Sequence, residues 1–74
     1  DQKQAVLKLA NLIGKLVNEK NPAQLRLELG KIYYSDLKDY DNAEGQLLEA
    51  LNAPNSPVGD IYLYLGKVYE KLAE

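Results

Sequence analysis

Apolar residues recur along most of the chain at the three- and four-residue spacings of an α-helix. In the first segment, roughly residues 2–19, Val6, Leu9, Ile13 and Leu16 follow this spacing. Because residues three or four apart lie on one face of a helix, the segment is predicted to be an amphipathic helix. Apolar and polar residues do not alternate cleanly for more than a few positions, so strands are not expected.

Two Asx/Ser-proline pairs divide the rest of the chain. They are Asn-Pro at residues 21–22 and Ser-Pro at residues 56–57. Asn and Ser cap helices by accepting a backbone N–H hydrogen bond, and Pro suits the first helical turn, where its missing N–H has no helical partner anyway. These pairs predict a second helix over residues 22–36 and a fourth over residues 57–73. Asp60 then places a carboxylate in the first turn, where the helix dipole favours it.

A third helix is predicted between these two, over residues 40–52. Asp39 or Asp41 is positioned to cap its start, and Glu44 is placed to reach back to Asp41 as a capping box. Gly45 lies inside this helix, where it costs about 1 kcal/mol relative to Ala. We therefore expect Gly45 to mark a point of close backbone packing.

A five-residue motif is repeated along the chain. Residues 29–33 read Leu-Gly-Lys-Ile-Tyr, and residues 65–69 read Leu-Gly-Lys-Val-Tyr. The same offset of 36 residues pairs Leu25 with Ile61. Ordered self-similarity at such an offset is typical of repeat proteins. The two glycines are expected to let helix backbones approach closely, with the tyrosines filling the space one turn further on.

The repeated motif resembles the first helix of the tetratricopeptide repeat (TPR) family, in which a Leu-Gly pair precedes a Tyr by three residues. The family's turn and second helix supply further matches. The matching positions are Leu29, Gly30, Tyr33, Tyr40, Ala43, Leu47 and Ala50 in one repeat and Tyr62, Leu65, Gly66 and Tyr69 in the next, with Pro54 or Pro57 ending the first. The period departs from the family's, which is about 34 residues. Leu37 also replaces the turn glycine, and Arg26 replaces a bulky aromatic residue.

The resemblance implies an all-α fold of four antiparallel helices. They would form helical hairpins stacked as a short right-handed superhelix. One single domain over residues 1–74 would hold about one and a half to two repeats, with residues 2–19 as the second helix of a preceding, degenerate repeat. The chain is expected to be a fragment of a longer protein.

The resemblance also implies a function, because the first helices of TPR repeats line a concave groove that binds peptides or helices of partner proteins. The positions carried over to this groove are Gln24, Leu27, Lys31 and Tyr34 in the second helix and Asp60, Leu63, Lys67 and Glu70 in the fourth. Leu27 and Leu63 would form its apolar floor, and Lys31 and Lys67 would face the partner. Members that bind chaperones grip a C-terminal carboxylate with Lys and Asn. Leu27 and Lys31 replace those two residues, so that mode is not expected here.

A second interpretation is a structural scaffold or self-assembly segment. Repeat units usually need at least three copies to complete a core, so the end helices would stack on further repeats or on a second copy of the chain. Apolar outer faces on residues 2–19 or 61–72 would favour this interpretation.

Composition narrows the chemistry. A chain of 74 residues fits one small domain, and 46% hydrophobic with 27% charged residues suits a folded one. The chain has no His and no Cys, which excludes imidazole and thiol catalysis. No enzyme activity, catalytic residue, cofactor or metal site is predicted. Asp36, Asp39 and Asp41 lack the spacing of an EF-hand loop and are interpreted as solvated or capping residues.

Charge and hydropathy also limit the partners. The net charge is −2 and no basic stripe is visible, so nucleic acid is not an expected partner. Apolar runs are too short to cross a bilayer, so no membrane insertion is expected. No signal-peptide pattern is present, and the compartment is not indicated, although a cytoplasmic one suits the pattern best. The predicted partner is a protein or peptide.

Overall fold

The computed structural model describes residues 2–74 and shows four α-helices joined by short loops. The helices are α1 (Gln2–Leu16), α2 (Ala23–Ser35), α3 (Tyr40–Asn52) and α4 (Val58–Leu72). The part of the chain described contains no strand. The predicted all-α fold of helical hairpins is therefore confirmed. Asp1, which the predicted domain includes, lies outside the described residues.

The helix bounds agree with the predicted ones except at the end of α1. Helices α2 and α4 differ from prediction by one residue at each end, and α3 has the predicted bounds. Helix α1 ends at Leu16, three residues early. The N–H groups of Asn18 and Glu19 donate to carbonyls three residues back, at 3.2 and 3.3 Å. Such short-range bonds tighten the chain into a turn and close the helix.

Side-chain oxygens accept backbone N–H hydrogen bonds at the starts of α2 and α3, whereas the predicted Ser56 cap of α4 is wrong, because the Ser56 hydroxyl donates to the Leu51 carbonyl instead. Asn21 Oδ1 accepts a hydrogen bond from the N–H of Ala23 at 3.4 Å, as the Asn-Pro pair predicts. At α3 the capping residue is Asp39, whose Oδ1 accepts from the N–H of Asn42 at 3.3 Å. The predicted capping box of Asp41 and Glu44 does not form, because the cap is Asp39, which makes Asn42 and not Glu44 the third residue of the helix.

The core lies around α3, which packs against α2 on one side and α4 on the other. Helix α2 also touches α4, whereas α1 contacts only α2 among the four helices. The buried cluster is made of aliphatic side chains from α2, α3 and α4: Leu27, Ala43, Leu47, Ala50, Ile61, Leu65 and Val68. Burying each Leu, Ile or Val side chain of this cluster contributes about 1.5–3 kcal/mol, so α2, α3 and α4 carry most of the stability.

The glycines show where the backbones approach. A Cβ added to Gly30 would lie 2.8 Å from both Cγ and Cδ2 of Leu47, so the predicted close crossing is confirmed at this site. Gly45 and Gly66 have no atom within 4 Å of such a Cβ. The prediction is wrong for Gly45, because it lies on the solvent side of α3. Gly66 is exposed as well, because no described helix covers its side of α4.

Candidate functional site

The two lysines of the repeated motif meet at one tyrosine. Lys31 Nζ lies 5.5 Å from the ring centroid of Tyr64, and Lys67 Nζ lies 5.0 Å from the same centroid. Cations within about 6 Å of an aromatic face are attracted by the ring quadrupole. Lys67 shares an α4 face with Tyr64 because the two are three residues apart, and Lys31 reaches the ring from α2. The structure thus brings the two predicted partner-facing lysines to one surface.

Two further tyrosines fix the position of Tyr64. Its ring packs edge-to-face on Tyr34, with centroids 6.0 Å apart and planes at 85°. Tyr34 in turn lies 5.7 Å from Tyr40 at 54°. Tilted and edge-to-face pairs such as these contribute about 0.5–1.5 kcal/mol beyond the area they bury. We call Lys31, Tyr34, Tyr40, Tyr64 and Lys67 the lysine–tyrosine cluster.

The two lysines differ in their neighbours. Lys31 Nζ lies 3.5 Å from Glu28 Oε1 in an i,i+3 ion pair, and Gln24 Nε2 donates to the same oxygen at 3.5 Å. Among residues 2–74, no carboxylate lies within ion-pair distance of Lys67. Within residues 2–74, the charge of Lys67 therefore faces the Tyr64 ring and solvent.

The remaining predicted groove residues differ in how exposed they are. Gln24, Asp60, Leu63 and Glu70 are exposed, and Tyr34 is half-buried within the cluster. Leu27 is fully buried, so its predicted place in the groove floor is wrong. The reason is that α3 and α4 close over this side of α2, which makes Leu27 part of the core.

Sequence reasoning missed Tyr40 and Tyr64. The sequence does contain an indication that Tyr64 belongs to the site, because its i,i+3 spacing from Lys67 puts the two residues on one face of a helix. Tyr40 had none, since its contact with Tyr34 depends on how α3 folds back on α2.

A cleft of about 340 Å³ lies between α1 and α2, open to solvent. It is lined by Lys8, Asn11, Leu12 and Lys15 of α1 and by Glu28 and Ile32 of α2. It contains cations but no aromatic side chain, so it offers a ligand less than the lysine–tyrosine cluster does.

The Tyr69 hydroxyl of α4 has a raised pKa. The hydrogen bond from the Tyr69 hydroxyl to the Glu44 carboxylate raises the pKa of Tyr69 above its usual 10.0, with smaller contributions from desolvation and from the Glu44 charge. The carboxylate favours the protonated phenol as its donor. This bond links α3 to α4 and lies outside the lysine–tyrosine cluster.

No three acidic side chains of residues 2–74 are grouped to hold a metal ion. None of the four helices is both long and apolar enough to cross a membrane. The carboxylate of Asp39 is used as the α3 cap.

No family model matches the chain, and no similar protein was found among curated proteins or solved structures. The resemblance to TPR repeats therefore still rests on the residues quoted above, and it stays a prediction.

Proposed function

We propose that the chain is a protein-interaction module that binds a peptide or helix of a partner protein on the surface shared by α2 and α4. The observation that carries this proposal is the convergence of Lys31 and Lys67 on Tyr64. The TPR resemblance supports it independently, because it assigns both lysines to a partner-binding surface. With no His or Cys in the chain, we propose no catalytic role.

The chemistry of the cluster favours a partner segment that carries carboxylates. Two ammonium groups flank an aromatic ring, so an acidic segment could pair with both while an apolar side chain rests on the ring. Exposed ion pairs are each worth about 0–1 kcal/mol, so most of the affinity must come from the aromatic contact. Exposed Leu63, one turn before Lys67, extends the apolar part of the surface.

The test uses two synthetic amphipathic peptides of equal length, one carrying Glu and the other Lys at the same positions. Each is titrated into the isotopically labelled chain while backbone amide shifts are followed. We expect the Glu peptide to move amides around Lys31, Tyr64 and Lys67, and the effect to weaken with added salt because exposed charges are screened.

The matched variants distinguish the cluster from general attraction to lysines. Replacing Lys31 and Lys67 with Ala should abolish the shifts. Replacing Lys8 and Lys15 of α1 with Ala removes the same amount of charge from another surface and should leave the amide shifts unchanged. Equal shifts with both peptides, or equal loss with both pairs of substitutions, would contradict the proposal.

A second candidate function is a scaffold or self-assembly segment. It is favoured by large apolar side chains left exposed on the two outer helices and just after α1: Val6, Leu7 and Ile13 on α1, Val17 in the turn that follows it, and Tyr62, Leu63, Tyr69 and Leu72 on α4. Exposed apolar residues that share one helix face are typical of protein–protein contacts.

A further inference from the structure

The cleft between α1 and α2 has a cationic wall. Lys8, Asn11 and Lys15 line it from α1 at spacings i, i+3 and i+7, which place their side chains along one side of the helix. Helix α1 contains no acidic residue, and no carboxylate of residues 2–74 lies within ion-pair distance of Lys8 or Lys15. Two ammonium groups and an amide donor therefore line the cleft without an anion to pair with.

The opposite wall, on α2, carries one carboxylate, and its charge is already balanced. Glu28 Oε1 lies 3.5 Å from Lys31 Nζ and accepts a hydrogen bond from Gln24 Nε2 at 3.5 Å. Glu28 is the one acidic residue among the described residues that line the cleft. The uncompensated charge of the cleft is thus positive, and a cleft lined by one sign of charge attracts ligands of the opposite sign.

Two aliphatic side chains supply the apolar part of the cleft. Leu12 of α1 and Ile32 of α2 line it, and both are half-buried, so each keeps apolar surface open to solvent. The volume of about 340 Å³ lies at the lower end of the range of small-molecule sites, in which a few polar groups orient a mainly apolar ligand. Because the lining has no aromatic side chain, the matching ligand body is short and aliphatic.

We propose that this cleft binds a small anionic amphiphile, a carboxylate or phosphate head group on a short aliphatic chain, and that the ligand joins α1 to α2. The head group pairs with Lys8 and Lys15, and the chain covers Leu12 and Ile32. Because the two walls belong to different helices, the ligand adds contacts to α1, which otherwise buries only two of its side chains. This site is separate from the lysine–tyrosine cluster.

The first experiment titrates four small molecules separately into the isotopically labelled chain while backbone amide shifts are followed: hexanoate, hexyl phosphate, hexylammonium and acetate. Hexanoate and hexyl phosphate should move amides near Lys8, Leu12 and Ile32, and the tighter of the two identifies the head group. Hexylammonium has the same chain with the opposite charge, and acetate has the head group without the chain. Each of these two should bind at least about tenfold more weakly.

Matched substitutions assign the binding to the cleft. Replacing Lys8 and Lys15 with Ala should weaken hexanoate binding by about tenfold, the loss expected from two exposed ion pairs. Replacing Lys67 and Lys71 with Ala removes the same amount of charge from α4, which does not line the cleft, and should leave the affinity unchanged.

One substitution should strengthen binding. Glu28→Gln removes the carboxylate from the α2 wall and should tighten hexanoate binding by up to about fivefold, the effect expected from one exposed charge. A gain in affinity distinguishes a charge effect from damage to the fold, which could only weaken binding.

The second experiment tests whether the ligand joins the two helices. Local opening of α1 would break a site that both helices build, so bound ligand should slow amide exchange in α1. At a hexanoate concentration about ten times the dissociation constant, exchange in α1 should slow by about tenfold. Acetate at the same concentration controls for ionic strength and should leave the exchange rate unchanged.

Several results would overturn the proposal. One is the absence of binding by both hexanoate and hexyl phosphate, and another is hexylammonium binding as tightly as hexanoate. Equal weakening by the α1 and α4 lysine substitutions would place the ligand outside the cleft. Unchanged exchange in α1 at saturation would mean that the ligand contacts one helix only and does not join the two. None of these results bears on peptide binding at the lysine–tyrosine cluster.

Discussion

Tyr64 connects residues that the sequence places far apart. The Nζ atoms of Lys31, on α2, and of Lys67, on the same helix as Tyr64, both lie over its ring. The ring also packs edge-to-face on Tyr34. The single ring of Tyr64 thus holds the ammonium groups of Lys31 and Lys67 near each other. Glu28 already forms an ion pair with Lys31, so a carboxylate of the partner must displace Glu28 to bind Lys31. Among the described residues, no carboxylate competes for Lys67 in this way. We expect Lys67 to contribute more to binding than Lys31.

Tyr69 provides a prediction about pH. Its pKa is raised in the folded chain by the hydrogen bond to Glu44, so the bond stabilises the fold fully below pH 10 and is lost as pH rises through the raised value. Urea denaturation across this range should show the free energy of unfolding falling more steeply for the unaltered chain than for Tyr69→Phe, which lacks the titrating hydroxyl.

Tyr62→Phe serves as the control for this prediction. Tyr62 lies on the same helix and is exposed, and its hydroxyl has no carboxylate partner among the hydrogen bonds of the described residues. Its variant should follow the unaltered chain at every pH. If the free energy of unfolding fell equally steeply with pH in all three proteins, the hydrogen bond from Tyr69 to Glu44 would not contribute to stability.

At the scale of the helices, the two motif glycines give opposite predictions although they hold the same position in the repeat. Gly30→Ala should destabilise the fold by about 1–3 kcal/mol, because the new Cβ meets Leu47 inside a packed core. Gly66→Ala should stabilise it by about 0.5–1 kcal/mol, because Ala is the better helix former and nothing stands in its way. Chemical denaturation of both variants measures the difference.

The sign of the two effects is the critical result. If Gly30→Ala were stabilising, the α2–α3 crossing would have to be looser than described. If Gly66→Ala were destabilising, something would already have to occupy the open side of α4.

The helices also show where sequence reasoning works. Local spacing and the Asn-Pro pair at residues 21–22 predict the start of α2, because capping depends on neighbouring residues alone. The repeat likewise indicates that Lys31 and Lys67 share a surface. Leu27 was misplaced because its environment is set by α3 and α4, and its repeat partner Leu63 has no following helix to cover it. Local patterns carry no information about such contacts.

At the scale of the whole molecule, packing is uneven. Helices α2, α3 and α4 share one buried cluster, whereas α1 touches α2 alone and buries only Ala5 and Leu9. Regions with few buried contacts open at lower free energy than the core. In native-state amide exchange, α1 should therefore open at a lower free energy than α3, and its exchange should respond less to denaturant.

This prediction has an internal control. Leu47→Ala should lower the opening free energy of α2, α3 and α4 together, by about 2–5 kcal/mol, because it leaves a cavity in their shared core. Leu47→Ala should lower the opening free energy of α1 by less, if α1 already opens independently of the other helices. Equal opening free energies in α1 and α3 of the unaltered chain would mean that the four helices unfold as one unit.

The tyrosine rings at the α2–α4 surface have an optical consequence. The chain has six tyrosines and no tryptophan or phenylalanine, so its near-ultraviolet absorption comes from tyrosine alone. Three of those rings, Tyr34, Tyr40 and Tyr64, are held at fixed angles to one another. Rings locked in asymmetric surroundings produce circular dichroism, whereas freely rotating ones contribute little. The near-ultraviolet spectrum of the unlabelled protein is thus a built-in reporter of the surface where we expect the partner to bind.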